Sequence, residues 1–206
     1  MPIEFVIAPN ADMREVIALN TSSTRWRMMD YIDSYADRGV LQYITLRQLL
    51  DKYMRSETLN LRSILTVINL IDKSVADGNM AERQLKKGTY SLKEETAAAA
   101  EPVLDWLSSH SAFLHLISAP RKPQLVRAVA FAYVRSSADK CQLDKALLRI
   151  ETEGKRIGAD NLNECLDYVS DAYNKRLPSG IGRIYLRPQY DVWQIHGTED
   201  NKEEVK

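Results

Sequence analysis

The stretch TLRQLLDKYMRSETLNLRSILTVINLIDK, residues 45–73, decides the fold that the sequence predicts. Apolar residues recur three or four positions apart on both sides of a polar break at residues 55–58. This spacing is typical of α-helices with one buried face. We expect a first helix over residues 46–53 and a second helix that begins at Asn60. Two helices with so short a connection form a helix-turn-helix-like hairpin.

Helical signals extend over most of the remaining chain. Apolar spacing predicts further helices over residues 28–38, 80–87 and 124–136, and Pro102 is expected to kink or restart the helix in which it lies. Five helix starts carry a capping pair, in which an oxygen-bearing side chain accepts from a free backbone amide and the residue three positions later reaches back. The pairs are Asp12 with Glu15, Thr45 with Gln48, Ser91 with Glu94, Asp139 with Gln142, and Asn161 with Glu164.

Strand-like composition occurs only near the two ends. IEFVI at residues 3–7 and GRIYLRP at residues 182–188 combine β-branched and aromatic residues with flanking Pro or Gly. Either these short strands pair with each other, or the first completes a sheet whose other strands belong to another chain. We therefore expect a mainly α, multi-helix domain with short terminal β-strands.

Two prolines in SAPRKPQ, residues 118–124, predict a joint between subdomains. The expected organisation is a junction and helix-turn-helix-like region over residues 1–119, followed by a helical subdomain with a short strand over residues 120–190. Residues 191–206 are polar and charged, and this composition is typical of a frayed tail.

Charge and composition limit the classes of function. Twenty-eight basic and 28 acidic side chains give no net charge, so contact with nucleic acid must come from a local basic face. Cys141 and Cys165 lack metal-type spacing and are expected to be small buried residues of a reducing compartment. No apolar run approaches the roughly 18 residues of a membrane span. We expect a cytoplasmic protein that does not bind membranes.

The second helix of the opening stretch carries a set of polar side chains opposite its apolar stripe. Arg, Thr, Asn and Lys recur there at spacings of four, three and four residues, and these types suit contact with bases and phosphates in a DNA major groove. The alternative is an ordinary amphipathic helix whose polar face is solvated. Trp26 is expected to be a packing anchor. The candidate DNA-binding residues are Arg62, Thr66, Asn69, Lys73, Lys86, Lys87, Arg25 and Arg27.

The order LRSILTVINL…RQLKKGTYSLKEETAAAAEPVL resembles the middle region of the ParB family of partition proteins, where a recognition helix precedes a helix, a Gly-x-x-Ser turn and an Ala-rich helix. The two ends of the chain are similar to ParB/sulfiredoxin-like proteins of plasmids, phages and mobile elements. The similarity is carried by PIEFVI, Asn20 and Trp26 near the beginning and by LDYVSDAYNKRL and RIYL near the end. The resemblance implies a DNA-binding module. The family has a phosphate-contacting motif, Glu-Asn-x-x-Arg, and this chain keeps only its Asn, at Asn20. The family's nucleotide-binding, nuclease-like domain is expected to be lost or separately encoded.

The sequence contains no catalytic constellation. His110 and His115 stand five residues apart, off one helical face, and no glycine-rich phosphate loop occurs. We therefore expect no metal, no cofactor and no enzymatic activity, including CTP hydrolysis and Mg²⁺-dependent nicking. The competing hypothesis to double-stranded DNA binding is a helical interaction module, which forms a homo-oligomer or associates with a separately encoded ParB-like domain.

Overall fold

The structure is a computed structural model of the 206-residue chain, and it describes residues 26–54, 59–136, 138–189 and 192–195. The expected strand at residues 3–7, the capping pair of Asp12 and Glu15, and the candidate Arg25 lie outside the described residues. The described part is mainly helical. Its α-helices are α1 (Met28–Asp37), α2 (Leu41–Met54), α3 (Leu61–Ile71), α4 (Gly78–Lys87), α5 (Glu94–Ser109), α6 (Lys122–Arg135), α7 (Lys140–Glu153) and α8 (Leu162–Asn174).

At two of the expected helix starts the capping side chain accepts as predicted, although the side chain of Gln142 donates to the carbonyl of Tyr173 at 3.1 Å and does not reach back to Asp139. Asp139 accepts from the backbone N–H of Gln142 at 2.8 Å and starts α7, and Asn161 accepts from that of Glu164 at 3.0 Å and starts α8. The start expected at Thr45 is wrong, because α2 begins one turn earlier, where burial of Tyr43 extends the helix. The start expected at Ser91 is also wrong, since α5 begins only at Glu94.

Pro102 lies inside α5, which continues to Ser109 as one helix. After α5, two 3₁₀ segments, Ser111–Leu116 and Ala119–Arg121, lead into α6. The Pro-rich joint expected at residues 118–124 therefore holds the second 3₁₀ turn and the first residues of α6. The buried side chains form a continuous core that includes residues on both sides of this joint.

Helix α3 lies at the centre of this core. Its residues Ser63, Ile64, Leu65, Thr66, Val67, Ile68 and Leu70 are buried, so burial extends around nearly the whole helix. It packs most extensively against α6 and α5, and also against α4 and α2. Alanines on α6, including Ala128 and Ala132, are fully buried and let the two helices approach closely. Of the polar face expected on this helix, Thr66 is buried and Asn69 is partly buried, whereas Arg62 and Lys73 are exposed.

The segment that follows α8 is hydrogen-bonded to side chains of that helix. The side chain of Asn174 both donates to the carbonyl of Ile184 at 2.7 Å and accepts from its N–H at 2.9 Å. The buried hydroxyl of Ser170 accepts from the N–H of Leu186 at 3.0 Å. Strand β1 (Leu186–Gln189) then pairs antiparallel with β2 (Val192–Ile195). Among the helices described, none is long and apolar enough to cross a bilayer.

Candidate functional site

Helix α4 packs on the core with one face and leaves the opposite face open to solvent. Asp77 starts it by accepting from the N–H of Gly78 at 2.6 Å, and Gly88 ends it in the left-handed conformation with φ 71°. Ala81 and Leu85 form its buried stripe. The side chains on the opposite face are exposed, and we call them the α4 outer face: Asn79, Met80, Arg83, Lys86 and Lys87.

Two tyrosines hold the last turn of α4. The hydroxyl of Tyr43 donates to the carbonyls of Gln84 and Leu85, each at 3.2 Å, and that of Tyr35 donates to the carbonyl of Lys86 at 3.3 Å. Burial raises the pKa of Tyr43 from 10.0 to about 12, so its hydroxyl stays protonated and able to donate even above pH 10. These bonds satisfy carbonyls that a helix end leaves without intrahelical partners. They also fix the direction in which the α4 outer face points.

The candidate residues on α3 point towards neighbouring helices. Thr66 is 4 % exposed and donates to both carboxylate oxygens of Asp77 at 3.3 Å. Asn69 donates to the carbonyl of Val75 at 2.8 Å and accepts from Arg127 at 2.7 Å. The side chains of Thr66 and Asn69 are therefore engaged within the fold and are not presented to a DNA groove.

The remaining described candidates lie at four places. Arg62 is half-exposed and forms an ion pair with Glu82 of α4 at 3.0 Å. Lys73 is exposed in the connection that follows α3, and Lys86 and Lys87 lie on the α4 outer face. Arg27 is exposed ahead of α1, far along the chain from these lysines, and its backbone N–H donates to Asp30 at 2.6 Å. Among the candidates that the structure describes, the two α4 lysines are adjacent on one exposed helix face.

Three of the other residues singled out from the sequence have defined surroundings. Trp26 is partly buried and contacts the ring of Tyr31 edge-on at a centroid distance of 5.0 Å, so it does pack against α1. Cys165 is buried as expected, but Cys141 is exposed, because it lies in the first turn of α7 on the side away from the core. Within the described ranges no group of three His, Cys, Asp or Glu residues is arranged to hold a metal ion.

A cleft of about 310 Å³ opens between α3 and the first turns of α4 and α6, and we call it the polar cleft. Sequence reasoning missed it, since its walls come from segments up to 100 residues apart. Its polar lining is Arg62, Thr66, Asp77, Asn79, Gln124 and Arg127, and its apolar wall is Pro120, Pro123 and Leu162.

Asp77 is the central acceptor of the polar cleft. Its carboxylate accepts hydrogen bonds from the N–H of Gly78 and the hydroxyl of Thr66. It also forms an ion pair with a guanidinium nitrogen of Arg127 at 3.2 Å. Arg127 and Asp77 are both largely buried, so each compensates a charge that would be costly alone. The cleft therefore has a rigid, charge-balanced floor beneath the more exposed Arg62.

Comparison of the chain with models of protein families, with curated proteins and with solved structures finds no match. The ParB resemblance therefore rests on the sequence phrases quoted above. The α4 outer face and the polar cleft are the candidate functional surfaces of the described residues.

Proposed function

We propose that this chain is a non-catalytic DNA-binding module of ParB-related type in which α4, and not α3, contacts double-stranded DNA. Helix α3, the connection at residues 72–77 and α4 would act as the helix-turn-helix-like pair. The observation that carries the proposal is the α4 outer face, where Arg83, Lys86 and Lys87 are exposed within five residues. In the part of the chain described, none of the three forms an ion pair with a carboxylate.

The burial of α3 argues against the role that the family resemblance assigns to it. Base contact by Thr66 would require removal of α4 or α6 from the core, since Thr66 is bonded to Asp77 and covered by both helices. Such a rearrangement would expose several fully buried apolar side chains of α3 and would cost far more than a base contact returns. Contact through α4 needs no rearrangement.

The residue types of the α4 outer face suit the proposed contact. The face extends from Asn79 to Lys87, roughly 12 Å at the rise of an α-helix, and this length is comparable with the width of a major groove. Asn79 and Arg83 lie four residues apart on one side, and these types pair with adenine and guanine. Lys86 and Lys87 would contact phosphates, which position a protein on the duplex.

The test compares two double variants that each remove two positive charges. In fluorescence anisotropy with a random-sequence duplex at low salt, Lys86→Ala/Lys87→Ala should weaken binding at least about tenfold, because two phosphate contacts are lost. Arg62→Ala/Lys73→Ala is the matched control and should stay within about twofold of the wild type. If only the Arg62→Ala/Lys73→Ala variant loses DNA binding, the contact would be assigned to α3 and not to α4. Absence of wild-type binding at low salt would refute DNA binding altogether.

A second candidate function is a helical interaction module that binds another copy of the chain or a separately encoded ParB-like domain. It is favoured by Leu148 on the outer side of α7, which is 61 % exposed and apolar. Light scattering after size exclusion should detect a dimer, and Leu148→Lys should return it to the monomer if this surface is the contact. A wild-type monomer over a wide concentration range would contradict self-association.

A further inference from the structure

A surface depression of about 290 Å³ lies where the 3₁₀ segment Ser111–Leu116 meets the end of α7, and we call it the basic depression. Its polar side chains are those of His115, Ser118 and Arg156, and the rest of its lining is Leu116, Ile117 and Gly154. Each of the three polar side chains can donate a hydrogen bond. No carboxylate of the described residues belongs to this lining, so its chemistry suits an anion.

The two segments that form the basic depression are hydrogen-bonded to each other. The backbone N–H of Ile157 donates to the carbonyl of Leu116 at 2.8 Å, next to Arg156 on one segment and next to His115 on the other. Ile117 and Ile157 are only 4 % and 3 % exposed and anchor both segments in the core. The backbone positions of Arg156 and His115 are therefore fixed relative to each other, and such preorganisation lowers the cost of binding a ligand between them.

The charge of Arg156 is not compensated within the described part of the chain. Its side chain is exposed and forms no ion pair there, unlike the two arginines of the polar cleft. The acids that flank it most closely in the sequence, Glu153 and Asp160, are paired with Lys175 and Arg121. The end of α7 adds a partial negative charge of about half an elementary charge, which is less than the full charge of the guanidinium.

The set of donors matches a phosphate group better than a carboxylate. The guanidinium of Arg156 can donate two parallel hydrogen bonds to two phosphate oxygens. His115 and Ser118, on the other segment, can donate to the oxygens that remain, whereas a carboxylate has only two oxygens and both would be taken by the guanidinium. A volume of about 290 Å³ also leaves room for part of the molecule that carries the phosphate.

From these features we infer that the basic depression binds a phosphate group, with Arg156, His115 and Ser118 as its donors. Such a group is carried either by a small phosphorylated molecule or by the backbone of DNA. The inference does not rest on DNA contact by α4, because no residue of the α4 outer face lines the depression.

Nuclear magnetic resonance of the ¹⁵N-labelled full chain tests the inference. Inorganic phosphate and glycerol 3-phosphate are the probes, and acetate and chloride are the references at equal ionic strength. The amide signals of residues 115–118 and 154–157 should shift with both probes and saturate with a Kd below about 10 mM. Arg156→Ala should weaken binding about tenfold or more, because hydrogen bonds from a charged group are lost, and His115→Ala should weaken it severalfold. Arg38→Ala removes an exposed arginine at the end of α1, and this matched control should leave binding unchanged.

Fluorescence anisotropy with the random-sequence duplex then identifies the source of the phosphate group. Weaker DNA binding by Arg156→Ala than by the wild type assigns the depression to the DNA backbone. DNA binding that is unchanged in Arg156→Ala, or absent in the wild type, assigns it to a small phosphorylated molecule.

Three results would overturn the inference. The first is that neither probe gives saturable shifts in the wild type. The second is that acetate binds as tightly as phosphate, since the site would then not be built for a phosphate group. The third is equal phosphate affinity of Arg156→Ala and Arg38→Ala, which would place the anion elsewhere. The side chains of His115 and Arg156 are exposed, so both variants should fold, and unchanged amide signals from the other helices show that they do.

Discussion

Replacing Gly88 with Ala should destabilise the protein by about 2–5 kcal/mol. Gly88 has φ 71°, and an alanine held in this left-handed conformation costs about 1–2 kcal/mol. A Cβ atom there would also lie 2.5 Å from Cε1 and 2.6 Å from Cζ of Tyr35. The ring would have to leave its place against Tyr43 and its hydrogen bond to Lys86, and such overpacking costs about 1–3 kcal/mol.

Gly154→Ala is the matched control for this substitution. Gly154 also ends a helix in the left-handed conformation, with φ 59°, but the nearest atom to its added Cβ is the carbonyl oxygen of Glu151 at an unstrained 3.9 Å. Gly154→Ala should therefore lower the free energy of unfolding only by the conformational cost, about 1–2 kcal/mol. The difference between the two variants isolates the contact between α1 and the end of α4.

Urea unfolding followed by circular dichroism gives the free energies needed for the comparison. Gly88→Ala should lower the free energy of unfolding by about 1–3 kcal/mol more than Gly154→Ala does. Adding Tyr35→Ala to Gly88→Ala should cost less than Tyr35→Ala costs in the wild type, because removal of the ring also relieves its clash with the added Cβ atom. Equal destabilisation by the two glycine variants would refute the reasoning and mean that Tyr35 does not lie against Gly88.

Three further predictions concern the core and the cleft. Burial raises the pKa of Cys165 to about 11. A thiol reagent at neutral pH should therefore modify the exposed Cys141 rapidly and Cys165 only as the protein unfolds. Equal modification rates at the two cysteines would contradict this. Asp77→Ala should cost about 2–4 kcal/mol in urea unfolding, because it leaves the charge of Arg127 uncompensated, and a loss below about 1 kcal/mol would mean that the pair is well solvated. Burial also raises the pKa of Tyr43 from 10.0 to about 12, so unfolded chains ionise first and the free energy of unfolding should fall as the pH rises from 10 to 12; a flat profile would contradict it.

The helices could be predicted from the sequence because their signals are local. Apolar spacing located α1 and α6 to within two residues, and the caps at Asp139 and Asn161 start α7 and α8 as expected. The start of α2 depends on a distant contact: Tyr43 is buried because its hydroxyl reaches the last turn of α4, about 40 residues away. A local pattern does not contain that information.

The polar face of α3 shows the same limit for the candidate site. Thr66 and Asn69 are of the right types and at the right spacing for DNA, and the same types also suit hydrogen bonds inside a protein. What decides between the two is Arg127, which lies 58 residues beyond Asn69 and bonds to it in the fold. The basic end of α4 could be read from Lys86 and Lys87, but their exposure depends on how α4 packs against α1 and α3.

Lysine footprinting of the wild-type chain is the most direct test of the claim that α4 contacts DNA. The protein is acetylated at low salt with and without a random-sequence duplex, and the modified lysines are quantified by mass spectrometry. Lys86 and Lys87 should lose most of their reactivity when DNA is present, whereas Lys145 on α7 should keep it, because only the α4 outer face is covered. Unchanged Lys86 and Lys87 together with protection of Lys73 or Lys145 would contradict the account.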